Sequence, residues 1–338
     1  MRQGWKRDWV AAIAVLAGLA PTAAGAQQPI DVVMAMPTTT LTFSVSSIAE
    51  DAGLYKKEGI NIQQRVLVGV ASINAVIGGA ADFTIGTAPV FLRANAQGQK
   101  LLAIANLIDK PMVEIVLRKD VYERVGVNSS MTLAERAKRL KGLTIAIQGV
   151  GSIVHAWERF VAARGGLDPE NDVRIAPMEP SAMLAALETK AIDGYTTSMP
   201  FTTQGIMKGE AVMLASAAQN DAPDLIPFAY GLLIAKPETC QTNREKCARV
   251  VRALAAATKL IREEPDKALE TVRPRFKDVD PALLASAWKI IVGSYAKDLR
   301  VDVRGLANAD KINLEAKLLD PKDKLKSYDG LATDEFVR

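Results

Sequence analysis

Apolar runs of strand length alternate along this chain with stretches whose apolar residues recur at helical spacing. The first run, 30–36 (IDVVMAM), ends at the polar turn Pro37-Thr38-Thr39-Thr40. A helix is expected over 43–57, turning Phe43, Ile48, Ala49 and Leu54 to a core, with Gly59 as its stop before a strand over 60–68. Residues 71–77 repeat the helical pattern, and Gly78-Gly79-Ala80-Ala81-Asp82 leads into a short strand over 83–86. Thr87 can cap the next helix, with Pro89 in its first turn, where a missing N–H costs little. This alternation predicts right-handed crossovers and a parallel sheet whose ligand end holds the turns 38–41 and 86–88.

Extended runs follow at 101–107 and 113–117, then a polar helix over 133–140. Residues 143–160 (LTIAIQGVGSIVHAWERF) read as a buried strand, a glycine turn and the opening of a helix. Backbone N–H groups at such a start lack a partner within the helix and sit at the positive end of its dipole, so the turn suits an anion or another acceptor. Further strands are expected over 173–175 and 193–198, with a helix over 182–187 between them.

The two halves superpose at an offset of 111 residues. Ala35 falls on Ala146, Ala75 on Ala186, Ala80 on Ala191, Asp82 on Asp193, Pro89 on Pro200 and Gly98 on Gly209. Thr40 and Leu41 then correspond to Gly151 and Ser152, and Thr87 and Ala88 to Ser198 and Met199. Each turn at a ligand end has a twin, and two similar lobes with facing turns make a cleft of the kind small molecules occupy. The run 228–235 (FAYGLLIA) is expected to return the chain to the first lobe, and the two crossings make a hinge. The rest reads as helices over 247–262, 282–296 and 306–319 packing onto the first lobe. The expected fold is α/β with two lobes and a central cleft: 27–112 with 229–338 as lobe 1, and 113–228 as lobe 2.

Composition narrows the function. Of 338 residues, 49% are hydrophobic and 5% aromatic, enough for two globular lobes. Residues 1–26 carry Arg2, Lys6 and Arg7 ahead of an apolar run and end in Ala24-Gly25-Ala26, the pattern of a secretory signal cleaved after Ala26. That run is far short of the roughly 20 residues of a spanning helix. The remaining 39 basic and 37 acidic side chains are nearly balanced and give no reason to propose nucleic acid or a membrane surface. Cys240 and Cys247 fit an oxidising compartment, where a disulfide is the first reading and two free thiols the plain one. Two cysteines and one histidine cannot make the usual closed zinc set, so no metal site is expected; no cofactor is expected either.

Several segments in order carry a family resemblance: Ala52-Gly53-Leu54-Tyr55-Lys56-Lys57-Glu58-Gly59-Ile60, Gly78-Gly79-Ala80-Ala81-Asp82-Phe83, Leu140-Lys141-Gly142-Leu143-Thr144-Ile145-Ala146, Gly151-Ser152, and Ala185-Ala186-Leu187 leading to Ile192-Asp193-Gly194 and Pro200. Over about 30–267 the chain resembles the nitrate/sulfonate/taurine-type (NMT1-like) substrate-binding proteins of bacterial ABC importers, which include thiamine-pyrimidine binders. The resemblance implies a type II periplasmic binding fold, a monomer in the periplasm, and delivery of a small organic solute, a sulfonate, carboxylate or related compound, to a permease and its ATPase. Matched by position, the implied ligand contacts are Thr39, Thr40 and Phe43, then Thr87 and Ala88, then Gly151, Ser152 and Ile153, then Thr197, Ser198 and Met199. These turns offer hydroxyls and apolar groups where anion-binding members often use charged or indole side chains.

The residues keep plainer readings beside that one. Ser152 can cap its helix, and His155 can be an exposed or locally bonded histidine instead of a ligand contact. Ser152 beside His155 suggests a nucleophile and base, but no acid partner is placed for them, and no enzyme is expected. Trp157 shares the apolar stripe of the core, and Tyr230 lies on the expected hinge strand, where it can line the cleft. A secreted sensor module is one rival reading. A thiamine-pyrimidine enzyme is another, although its cysteine-rich motif is missing.

Overall fold

The computed structural model describes Met1 and residues 28–337, so apart from Met1 the expected secretory segment 1–26 lies outside the described residues. The first half runs β1 (Ile30–Met36), α1 (Ser44–Asp51), α2 (Leu54–Lys57), β2 (Ile60–Val66), α3 (Ala71–Ile77), β3 (Phe83–Thr87), α4 (Ala88–Ala96) and β4 (Leu102–Ile108). The single helix expected over 43–57 is instead a 3-10 turn and two helices. Gly53 sits at φ 69°, left-handed backbone that no continuing helix can hold, and it separates α1 from α2.

The second half runs β5 (Glu114–Arg118), α5 (Lys119–Arg124), α6 (Leu133–Ala137), β6 (Thr144–Ile147), α7 (Ile153–Arg164), β7 (Arg174–Pro177), α8 (Pro180–Glu188), β8 (Gly194–Thr197), α9 (Phe201–Met207) and β9 (Ala211–Ser216). Then come β10 (Gly231–Ala235), α10 (Pro237–Thr242), α11 (Arg244–Glu263), α12 (Pro265–Val272), α13 (Pro281–Ile291) and α14 (Val303–Glu315). A disulfide between Cys240 and Cys247 ties α10 to α11.

The strands form two five-stranded sheets, β2-β1-β3-β10-β4 and β7-β6-β8-β5-β9. The wholly parallel sheet expected from the alternation is corrected: β10 runs antiparallel to β3 and β4, and β5 runs antiparallel to β8 and β9. Each of these two strands arrives from the other half of the molecule. No crossover helix returns the chain to the same end of the sheet, so it enters against the direction of its neighbours.

The 111-residue offset holds down to single hydrogen bonds. Val33 N–H donates to the Asp82 carboxylate at 2.8 Å and Asp82 N–H returns a bond to the Val33 carbonyl at 2.9 Å. Thr144 and Asp193 exchange the same two bonds, both at 2.9 Å. Leu67 N–H to Met36 O has its twin in Met178 N–H to Ile147 O. Met34 opposite Phe83 is matched by Ile145 opposite Gly194. Since each aspartate satisfies a strand N–H that would otherwise be left unpaired, Asp82→Ala and Asp193→Ala are each expected to cost about 2 kcal/mol. In urea titrations the double variant should show the sum, because the sites lie in different sheets.

The C-terminal helices do not pack on the first sheet alone, as the pattern suggested. α11 lies on α1, α2 and β4, but α13 reaches α9, and α14 rests on α4 and α7 together. Gly305 makes this possible: a Cβ there would stand 2.6 Å from Ala229 N, so only a glycine lets α14 sit on the backbone of the second crossing. Asn308 Nδ2 donates to Pro227 O at 2.8 Å, and Arg164 of α7 pairs with Glu315 of α14. Among the described residues, no helix is long and apolar enough to cross a membrane.

Candidate functional site

The strand ends of the two sheets face each other, and the turns that follow them close on a shared cavity. About 480 Å³ of space lies between its wall atoms. The turns touch directly around it. Gln148 Nε2 donates to Thr38 Oγ1 at 3.1 Å, Leu41 N–H donates to Met199 O at 3.1 Å, and the Arg93 guanidinium of α4 donates to Gly151 O.

Phe43, Thr87, Ser152, Ile153, Ser198 and Tyr230 share this cavity. Thr87 and Ser198 are twins under the offset and stand at the ends of corresponding strands, one from each sheet. The Phe43 and Tyr230 rings are stacked with centroids 6.2 Å apart, forming an apolar shelf. Thr39 and Thr40 face instead a neighbouring, larger cleft of about 640 Å³ beside Gln64 and Arg275, whose wall Phe43 also joins.

Four more expected residues lie behind the wall. Ala88 is fully buried and its N–H donates to Tyr230 O at 3.2 Å. Thr197 is fully buried, with a hydroxyl that has no partner among the described residues. Met199 contributes its carbonyl to Leu41, and Gly151 has both backbone groups engaged, its N–H by His155 Nδ1 at 3.0 Å and its carbonyl by Arg93.

The cap expected of Ser152 is corrected. Ser152 occupies the N-cap position of α7, yet its hydroxyl donates back to Gly149 O at 2.6 Å, holding the glycine turn and leaving the helix start uncapped by this side chain. His155 is locally bonded, and buried instead of exposed. Its Nδ1 accepts from Gly151, so the ring is neutral with its proton on Nε2. Burial, aided by the charges of Arg159 and Arg93, pulls its pKa down to about 4. Because His155 accepts from Gly151 and Ser152 donates to Gly149, the pair is not a nucleophile with its base.

The sequence reading missed the wall contributed by Gly69, Ser72 and Ile73. The signal was available: β2 lies beside β1, so the loop after β2 reaches the same end of the sheet. Arg93 was missed as well. It is buried in an otherwise apolar first turn and a half of helix, where it also donates to Asn313 Oδ1 of α14 and faces Asp310. Burial lowers its pKa to about 10, which leaves it charged at neutral pH.

The chain resembles known proteins throughout this architecture. A Brucella abortus (strain 2308) protein named as a binding protein is 26% identical over 254 residues, 73% of this chain and 71% of that one. A solved structure from Bordetella bronchiseptica RB50 matches with a TM-score of 0.77 at 22% identity, covering 90% of this chain and 95% of that one. The alkanesulfonate-binding protein SsuA of Xanthomonas axonopodis pv. citri, solved with MOPS bound, matches with a TM-score of 0.69 at 18% identity, covering 88% and 96%. The latter two establish the two-lobed periplasmic binding protein fold. A family model, NMT1/THI5 like, matches residues 42–268, which contain both crossings and the turns of the cavity other than the one after β1, and the chain therefore belongs to the NMT1/THI5-like family.

Proposed function

We propose that this protein is the solute receptor of an ABC importer, capturing a small organic solute in the cleft and delivering it to a membrane permease and its ATPase. The lobes of this reading are 27–112 with 229–338, and 113–228, and residues 1–26 direct the chain to the periplasm as a monomer. One observation carries the proposal: twinned turns from two homologous halves close on one cavity, through Thr38 with Gln148 and Leu41 with Met199. A solute held there touches both lobes only when they are together, and that difference in contact drives closure. Moving a mostly open population to mostly closed needs about 5 kcal/mol of such differential affinity. Membership of the family and the name of the Brucella abortus relative support the same role.

The test is native mass spectrometry of the protein isolated from the periplasm, followed by titration with the solute it carries. Ser152→Trp sets an indole into the cavity that Ser152 lines and is expected to abolish binding while the fold, read by circular dichroism, survives. If Ser152→Trp binds the solute as tightly as the parent protein, the cleft is not the site.

A further inference from the structure

We propose that Arg93 is the latch of the cleft, a positioning residue that holds the glycine turn of the second lobe against the first and so sets how readily the lobes part. The inference rests on the lobe division and the binding role proposed above. Arg93 lies on α4 in the first lobe, and its side chain is buried. One arm of the guanidinium, Nη1, donates to Asn313 Oδ1 of α14; the other, Nη2, donates to Gly151 O in the second lobe. A planar fork held at one arm aims the other, which a flexible ammonium does less well. The first arm is firmly held. Asn313 is fully buried, and its Nδ2 donates to Pro89 O, back on α4, at 2.9 Å and to Asp310 Oδ1 at 3.2 Å. Asp310 is buried too, faces the guanidinium, and accepts from Tyr328 Oη at 3.0 Å.

The second arm reaches a turn that the first lobe also touches elsewhere. A Cβ on Gly151 would stand 3.5 Å from Val70 Cγ1, and one on Gly69 would stand 3.4 Å from Ser152 Cβ, so the loop after β2 rests closely on the glycine turn. Gly151 is held from its own lobe as well, its N–H donating to His155 Nδ1 at 3.0 Å. That bond needs a neutral imidazole, which burial ensures with support from the charges of Arg159 and Arg93. Of the three hydrogen bonds that join the turns around the cavity, only the one from Arg93 has a charged donor, and such bonds are roughly twice as strong as neutral ones. When the lobes part, Asn313 and Asp310 stay with Arg93 while Gly151 O leaves. Nη2 then has only the water that enters the gap, so opening costs more than it would with an apolar side chain at this position. Arg93 does not line the cavity, and this control over closure needs no contact with the solute.

The test reads opening with no solute present. Ser72→Cys puts a thiol in the cavity wall, and Ala49→Cys puts one in the buried core of the same lobe. Both native cysteines are in the disulfide, so each variant carries a single reactive thiol. Parting of the lobes exposes the cavity thiol, whereas the core thiol is reached only by unfolding. With a maleimide and no denaturant, Arg93→Met is expected to speed labelling of the cavity thiol by at least about tenfold, the worth of one hydrogen bond to a charged group, while the core thiol lags well behind. If Arg93→Met does not fold, Arg93→Met combined with Asp310→Asn removes the two buried charges together and is read in the same way. Unchanged labelling of the cavity thiol, or equal acceleration of both thiols, overturns the latch. The binding role is tested by the solute the protein carries and not by labelling, so the two readings fail on different measurements.

Discussion

Glu158→Gln is expected to stabilise the protein by on the order of 4 kcal/mol at pH 8 and above, with no gain below about pH 4.5. Glu158 lies on α7, fully buried, and neither carboxylate oxygen has a hydrogen-bond partner among the described residues. Burial pushes its pKa up to about 8, against the pull of Arg159. The folded protein therefore keeps this proton across a range in which the unfolded chain has lost it. Stability is full below the ordinary pKa of 4.5 and falls as pH rises towards about 8. His155 acts in the opposite sense: the unfolded chain takes up a proton as pH falls from 6.5, the folded protein not until about 4, so stability drops through that window. Urea midpoints from pH 4 to 9 separate the two groups. A difference between Glu158→Gln and the parent that stays constant across this range would refute the assignment to Glu158.

Gly305→Ala is expected to destabilise by about 3 kcal/mol, the upper part of the range for an overpacked contact. The added methyl would stand 2.6 Å from Ala229 N and 3.0 Å from Phe228 C, both backbone atoms that cannot rotate away. α14 must lift from the crossing, and its bonds to Pro227 through Asn308 and to α7 through Glu315 loosen with it. Gly293→Ala is the matched control, because nothing lies within 4 Å of a methyl there, and its urea midpoint should not fall. Spin labels on the two lobes add a second readout: Gly305→Ala should broaden the distance distribution, since α14 bridges α4 and α7.

The sequence revealed the parts of the fold that repeat. Strand runs, crossover order and the 111-residue offset were all legible, because buried strands need continuous apolar runs and the same turn chemistry recurs at Asp82 and Asp193. Strand direction was not, since the apolar pattern of β5 or β10 is the same whichever way the strand runs. Nor could an amphipathic α14 say that it would straddle two lobes. In the cavity, Phe43, Ser152, Ser198 and Tyr230 were named from position, but the direction of each hydrogen bond was beyond reach. Ser152 had the helix start and Gly149 O as local partners and took the second. Glu158, in IVHAWERFVAAR, looks like an ordinary surface charge until its helix is seen covered on that side too.

The first lobe is the last to be completed as the chain emerges. The second sheet uses only residues 114–216, one contiguous stretch, and can close as soon as β9 is available. The first sheet must wait for β10, which inserts between β3 and β4 and supplies the pairing on both of its sides. Until residue 235 has been delivered, Phe83–Thr87 and Leu102–Ile108 are apolar strands with open edges, the surfaces that attract aggregation or a holding chaperone. A nascent chain paused between residues 216 and 231 would thus carry one finished lobe and one adhesive half-sheet, which marks that interval as the vulnerable step in its folding.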